Sequence, residues 1–203
     1  MIPKRCPVCR SSTIIRKEND TEVLACINNA CKGKLLGRVS HFVSKKGMDI
    51  EGLSESTLEK FINLGWIKNL SDIYKLGCHY DELRHMEGFG DRSVQKLQES
   101  IEKSKDVELK SFIAALSIPE IGTSQSKELV KIFHTWEEFK SAGFGTYDFS
   151  QLSGFGVVMN QNFHQNRYQT IVVTVDSDIK KNITINNGED FLLVIIGAIK
   201  IDH

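Results

Sequence analysis

Proline is scarce in this 203-residue chain, with three in all, and the formal net charge is zero. Low proline, together with 40% hydrophobic and 26% charged residues, excludes the compositions that remain disordered. No stretch approaches the roughly 18 apolar residues of a membrane span. The N-terminus lacks a charged segment followed by an apolar core, so no secretory signal is visible. These absences lead to an expectation of a cytoplasmic protein with no membrane partner, in a compartment that keeps thiols reduced. No Ser-His-Asp set, paired carboxylates or open metal site stands out. The six histidines, including His41, His79 and His85, are scattered along the chain. Nothing in the residues points to catalysis by this chain alone.

Cysteine is nearly absent after residue 31, where only Cys78 occurs, and concentrated before it. Cys6 and Cys9 form a C-x2-C knuckle; Cys26 and Cys31 form a C-x4-C knuckle after sixteen intervening residues. Such spacing lets four thiolates converge on one tetrahedral ion, and zinc suits them. The alternative is four metal-free buried cysteines. The segment TIIRKENDTEVLA predicts two short strands around the polar turn Glu18-Asn19-Asp20, which would fold the second knuckle onto the first. A site filled by four cysteines has no open position, so its zinc would be structural. Cys78 is expected to be a packing residue or a free thiol.

Zero net charge conceals an asymmetry. Residues 1 to 48 hold ten Lys or Arg against three acids, whereas residues 49 to 111 hold thirteen acids against nine bases. A basic head fits a phosphate backbone as partner, or a merely solvated face.

A pentapeptide, apolar-any-Gly-apolar-Gly, recurs through the rest of the chain. It is full at Met86-Glu87-Gly88-Phe89-Gly90 and Leu152-Ser153-Gly154-Phe155-Gly156. Ile50-Glu51-Gly52-Leu53-Ser54 ends in serine, and Ile118-Pro119-Glu120-Ile121-Gly122 has a glutamate in place of the first glycine. The starts are 36, 32 and 34 residues apart. Helices are expected around these turns, with Ser71, Asp91 and Thr123 as N-caps and apolar faces such as Val94, Leu97 and Ile101. A glycine turn running into a helix N-terminus presents backbone N–H groups to a phosphate and reads no bases. Two adjacent turns can hold both strands of a duplex. Alternatively, the glycines only permit tight turns.

The runs CPVC, CINNAC, RVSHFVSKKGMDIEGLS, MEGFGDRSVQKLQESIEKSK and FIAALSIPEIG resemble, in order, a region of bacterial NAD-dependent DNA ligases. The resemblance covers about residues 3 to 166. It implies a mainly α fold, with a four-cysteine zinc finger at 1–33 and a tandem helix-hairpin-helix domain with four hairpins at 34–166. A β-rich tail follows at 167–203. In the family this region clamps nicked duplex DNA. Carried over, Cys6, Cys9, Cys26 and Cys31 bind structural Zn2+. Gly52, Leu53, Ser54, Gly88, Phe89, Gly90, Arg92, Ile121, Gly122, Gly154, Phe155 and Gly156 lie at the DNA backbone. The Lys-x-Asp-Gly tetrapeptide, whose lysine attacks the adenylyl phosphorus, does not occur. Lys46-Gly47-Met48-Asp49 spaces the two charged residues one position too far apart.

The finger follows Met1 closely, and the NAD-recognition and OB-fold regions are absent. The chain thus looks like the second half of a split ligase of the kind some bacteriophages are thought to encode. Its partner would be the adenylation/OB half, which alone would use NAD. The other reading is a stand-alone binder of nicked or junction DNA. Two departures bear on the resemblance: Ser54 stands at a hairpin glycine, and the segment VVMNQNFHQN after Gly156 is unusually polar. The tail carries TIVVTV at 170–175 and FLLVIIGAIKI at 191–201, read as a strand pair, a docking strand or a buried strand. In the family a BRCT domain begins near here with a strand similar to FLLVIIG, and this chain ends before one could form.

Overall fold

The computed structural model describes residues 2–18, 21–144, 146–166 and 200–202. Strands β1 (Thr13–Glu18) and β2 (Thr21–Cys26) pair antiparallel, with Thr13 opposite Cys26 and Ile15 opposite Leu24. The two strands bracket the expected turn, whose central residues 19 and 20 lie outside the described residues. The β-branched residues of this segment favour a pleated ribbon over a helix.

Helix α1 (Lys32–Val43) begins directly at Cys31, which is its N-cap. It crosses the expected 33/34 boundary, so one helix joins the cysteine module to the helical part. Val39, Phe42 and Val43 share its buried face, as a 3.6-residue period requires. The chain then doubles back at Gly47, where an added Cβ would lie 2.4 Å from the Phe42 carbonyl oxygen. That close approach lets the Met48 and Ile50 amides donate to the Phe42 and Val43 carbonyls.

Helix α2 (Glu55–Leu64) stops at Gly65, whose φ of 77° is a left-handed C-cap. A 3-10 segment, Leu70–His79, leads into α3 (Tyr80–Arg84) and α4 (Asp91–Lys103). A short strand β3 (Asp106–Glu108) precedes α5 (Leu109–Ala115), α6 (Thr123–Leu129) and α7 (Trp136–Phe144). After a single 3-10 turn, Phe149–Gln151, the last helix is α8 (Val157–Asn166). Strand β4 (Lys200–Asp202) pairs parallel with β3. The rest of the tail, with both of its expected β-branched runs up to residue 199, lies outside the described residues.

The expected caps are displaced by one or two positions. Asn69, not Ser71, caps the 3-10 segment: its side chain accepts from the Ser71 amide, while the Asp72 carboxylate accepts from the Asn69 amide. Gly90 precedes Asp91, and Gly122 precedes Thr123, as the true N-caps. In both, the third helical residue reaches back, Ser93 Oγ accepting from the Gly90 amide at 2.8 Å and Gln125 Oε1 from the Gly122 amide at 3.3 Å.

One core runs through the helical part. Phe42, Leu58, Phe61, Leu97, Phe112 and Ile113 are fully buried in it. Toward the C-terminal end aromatic rings dominate, with Phe149 and Phe163 stacked at 4.0 Å between centroids. Among the described residues no helix is long and apolar enough to cross a membrane.

Candidate metal centre and hairpin surface

The four cysteines meet at the junction of the ribbon and α1. Their Sγ atoms all lie within 4.8 Å of one another, with Cys6–Cys31 at 3.8 Å and Cys9–Cys26 at 3.5 Å. A tetrahedral ion with Zn–S distances of about 2.3 Å requires sulfurs about 3.8 Å apart. All four thiols are free of disulfides, and the set can hold a metal ion of this kind. Cys78 is exposed and stands apart from the cluster, so it is a surface thiol and not a packing residue.

Local backbone geometry explains how each sulfur is aimed. In the first knuckle the Arg10 amide donates to the Cys6 carbonyl, and Arg10 takes a left-handed φ of 62°. In the second, the Asn28 amide donates to Cys26 Sγ at 3.4 Å, and Cys31 sits at the positive end of α1. The Ser11 hydroxyl and amide lower the Cys9 thiol to about 6, and the Cys9 and Val8 amides lower Cys6. Burial pushes Cys26 up to about 11. The first pair is thus pre-disposed to thiolate, whereas the Cys26 proton must be displaced by the ion.

The four pentapeptides fold alike. The third residue is left-handed in every one: Gly52 at φ 89°, Gly88 at 86°, Glu120 at 66° and Gly154 at 82°. In the last three, the fourth amide donates to the first carbonyl, at 3.0 Å each, giving the type II turn that positive φ allows. The fifth residue starts the next helix, its carbonyl accepting from the amide of Leu58, Val94, Ser126 or Asn160, and Ser54, Gly90 and Gly122 are extended there. Ser54, which replaces a glycine there, caps α2 with its own hydroxyl on the Thr57 amide at 3.2 Å.

Not every residue expected at the DNA faces outward. The side chains of Leu53, Ile121 and Phe155 are buried, and Phe89 packs partly buried against the same core. These four anchor the turns; Leu53, Ile121 and Phe155 offer a ligand little but their backbone, whereas Phe89 keeps part of its ring exposed. Gly52, Ser54, Gly88, Gly90, Arg92, Gly122, Gly154 and Gly156 are exposed. An added Cβ at Gly88, Gly90, Gly154 or Gly156 would meet nothing within 4 Å, whereas one at Gly52 would lie 3.6 Å from Leu97. The first turn is docked on α4, where the Glu51 amide also donates to Ser100 Oγ. The other turns with two glycines open to solvent.

The structure brings the first two turns to one open groove of about 920 Å3. Gly52, Leu53, Ser54, Gly88 and Phe89 line it; the third and fourth turns do not. Its charges are Lys45 and Lys60 against Asp49, Glu51, Glu55 and Glu87. Attraction for an anion there has to come from backbone amides and hydroxyls. Lys60 and Ser93 were not singled out from the sequence, because no spacing rule places them beside the turns. Gly47 was missed as well, although the SKKG run between α1 and the first turn signals a tight reversal.

A four-cysteine module able to hold a metal ion, joined to a helical part of repeated turn-into-helix units, is the class that fold and site define. Comparison with known proteins connects this class to DNA ligases. The chain is 37% identical over 163 residues to a DNA ligase of Ruminiclostridium cellulolyticum, covering 80% of this chain and 24% of that protein. It is 36% identical over 189 residues to one of Lachnoclostridium phytofermentans and 35% identical over 194 residues to one of Finegoldia magna. Those two alignments each cover 93% of this chain, and 29% and 28% of the relatives. The chain therefore spans about a quarter of the length of the curated relatives it matches, and it is homologous to a region of DNA ligases. No protein-family model matches it.

Proposed function

We propose that this chain is the non-catalytic, DNA-clamping part of an NAD-dependent DNA ligase, working in the cytoplasm on nicked duplex DNA with a partner adenylation/OB half. One observation carries the reading of the surface. Gly88, Gly90, Gly154 and Gly156 all face open space, and at Gly90 and Gly156, whose φ is not left-handed, the fold imposes no steric limit on a Cβ. Gly90 is moreover in extended backbone, where no left-handed conformation demands glycine. A residue kept bare on a helix-starting turn suits the close approach of something outside the protein, and a phosphate fits the amides presented there. The finger, with its zinc, would hold α1 in place and carry the basic residues that draw DNA in.

The similarity to ligases supports DNA as partner, and the missing Lys-x-Asp-Gly tetrapeptide supports assigning nucleotidyl transfer to another part. On this reading the chain contributes positioning: it keeps the 3′-hydroxyl and the adenylated 5′-phosphate in register without new chemistry. The test has two arms. Incubated with radiolabelled NAD, the chain alone should remain unlabelled. With nicked duplexes of unrelated sequence it should bind each alike, with log K falling against log[salt] at a slope of roughly −3 to −5 for about one phosphate per turn. Affinity that follows base sequence, or ignores salt, would contradict the clamp.

A further inference from the structure

Two of the four turns lead into helices with an acid in the first helical turn, Glu55 in α2 and Asp91 in α4. The helices after the third and fourth turns have none. An acid there suits the free helix, because it meets the positive end of the dipole. It also opposes any phosphate drawn to the same amides. The fold treats the two acids differently. Glu55 forms no ion pair among the described residues, whereas Asp91 Oδ1 lies 3.3 Å from Nε of Arg84. Arg84 is the last residue of α3, and its Nη1 also donates to Asp81 Oδ1. One guanidinium thus bridges the end of α3 and the start of α4, across the second turn. The Arg84 side chain is 41% exposed and that of Asp91 94%. So open a pair contributes little to stability, and its consequence lies in the charge beside the turn.

We propose that Arg84 is a positioning residue that fits the second turn for a DNA phosphate, by neutralising Asp91 beside the amides that would hold it. This role presupposes the clamp proposed above. Residues 81 to 92 carry four exposed acids, Asp81, Glu82, Glu87 and Asp91, against the exposed Arg84 and Arg92. Without Arg84 a single cation would face all four. A phosphate on the α4 amides would then meet an unpaired carboxylate from the same helical turn, where the approach of DNA thins the screening water. The rigid fork of arginine lets Nε and Nη1 engage separate carboxylates, a geometry that a lysine ammonium does not offer. Arg84 acts through Asp91, since its guanidinium is already held between two acids. Asp91 keeps its helix-stabilising place, and the turn keeps its use.

The test measures binding of the full chain to a singly nicked duplex at fixed salt, for Arg84→Gln, Asp91→Asn, the double variant and Lys105→Gln. Lys105 pairs with Glu102 just past the other end of α4, roughly 20 Å from the turn for a 13-residue helix. Its loss removes the same charge away from the turn. Arg84→Gln should weaken binding about threefold or more, and Lys105→Gln by less than half that factor. In the Asp91→Asn background the loss from Arg84→Gln should shrink to less than about 1.5-fold. Unchanged helical signal and denaturant midpoint verify that each variant is folded. An Arg84→Gln loss of equal size in both backgrounds would make Arg84 a direct phosphate ligand and overturn its action through Asp91. A loss matched by Lys105→Gln would reduce it to net charge, and wild-type affinity would remove it. Each of these leaves the clamp standing. A wild-type chain that does not bind the nicked duplex would overturn the clamp and the role of Arg84 together.

Discussion

Glu120 occupies a backbone conformation that costs a residue with a Cβ about 1–2 kcal/mol. Its counterparts Gly52, Gly88 and Gly154 adopt the same left-handed turn as glycines. Glu120→Gly should therefore raise stability by about 1 kcal/mol, less a few tenths for the added freedom of the unfolded chain. The denaturant midpoint should rise at constant slope. An unchanged midpoint would mean that the turn is not held left-handed in solution. The third-position rule was legible in three glycines. Glu120 was legible only because the pentapeptide spacing marked its place. Thiol chemistry gives a second expectation at this scale. A metal binds deprotonated thiols, and Cys26 holds its proton up to about 11 without one, so apparent zinc affinity should rise with pH and fall on acidification. Competition with a chromophoric chelator between pH 8 and 6 measures the slope; a pH-independent affinity would contradict thiolate ligation.

Among the elements, the helices share their own core, whereas a zinc-bound four-cysteine module would depend on its ion. Freshly purified protein should hold one zinc, and chelation or Cys26→Ser should unfold the ribbon while far-UV helical signal persists. A folded finger free of metal would rule this out. The turns allow a matched comparison, because Gly90 and Gly122 are both extended N-caps. Alanine costs both helices a similar capping term of up to about 1 kcal/mol. Gly90→Ala and Gly156→Ala face open space at full glycine turns, whereas Gly122→Ala follows a turn bearing Glu120. The first two should weaken duplex binding several-fold for every sequence alike; Gly122→Ala should weaken it less. Equal losses would assign the third turn the same grip. Element positions read well from periodicity, as Val94, Leu97 and Ile101 show by lying on the buried face of α4. The caps did not. Ser71, Asp91 and Thr123 are good capping types, but the turn ends its extended backbone earlier, and reach-back residues Asp72, Ser93 and Gln125 mark the true starts.

For the whole molecule, the cysteine spacing and the repeat carried most of the architecture, because both are local signals. What they could not convey was relative placement. That the first turn docks on α4, and that the first two turns share a groove whose acids outnumber its lysines, depends on contacts between distant segments. Burial of Leu53, Ile121 and Phe155 likewise follows from the core and not from the pentapeptide, which only marks those positions as apolar. The clamp role is tested most directly by nick sealing. A singly nicked duplex is incubated with NAD and the adenylation-bearing portion of the R. cellulolyticum ligase, with and without this chain, and with its Gly90→Ala and Cys26→Ser variants. Sealing should be negligible with either component alone, restored by mixing them, and reduced by both substitutions. Sealing by the catalytic portion that is equally fast without this chain would contradict the clamp and leave an independent DNA-binding protein.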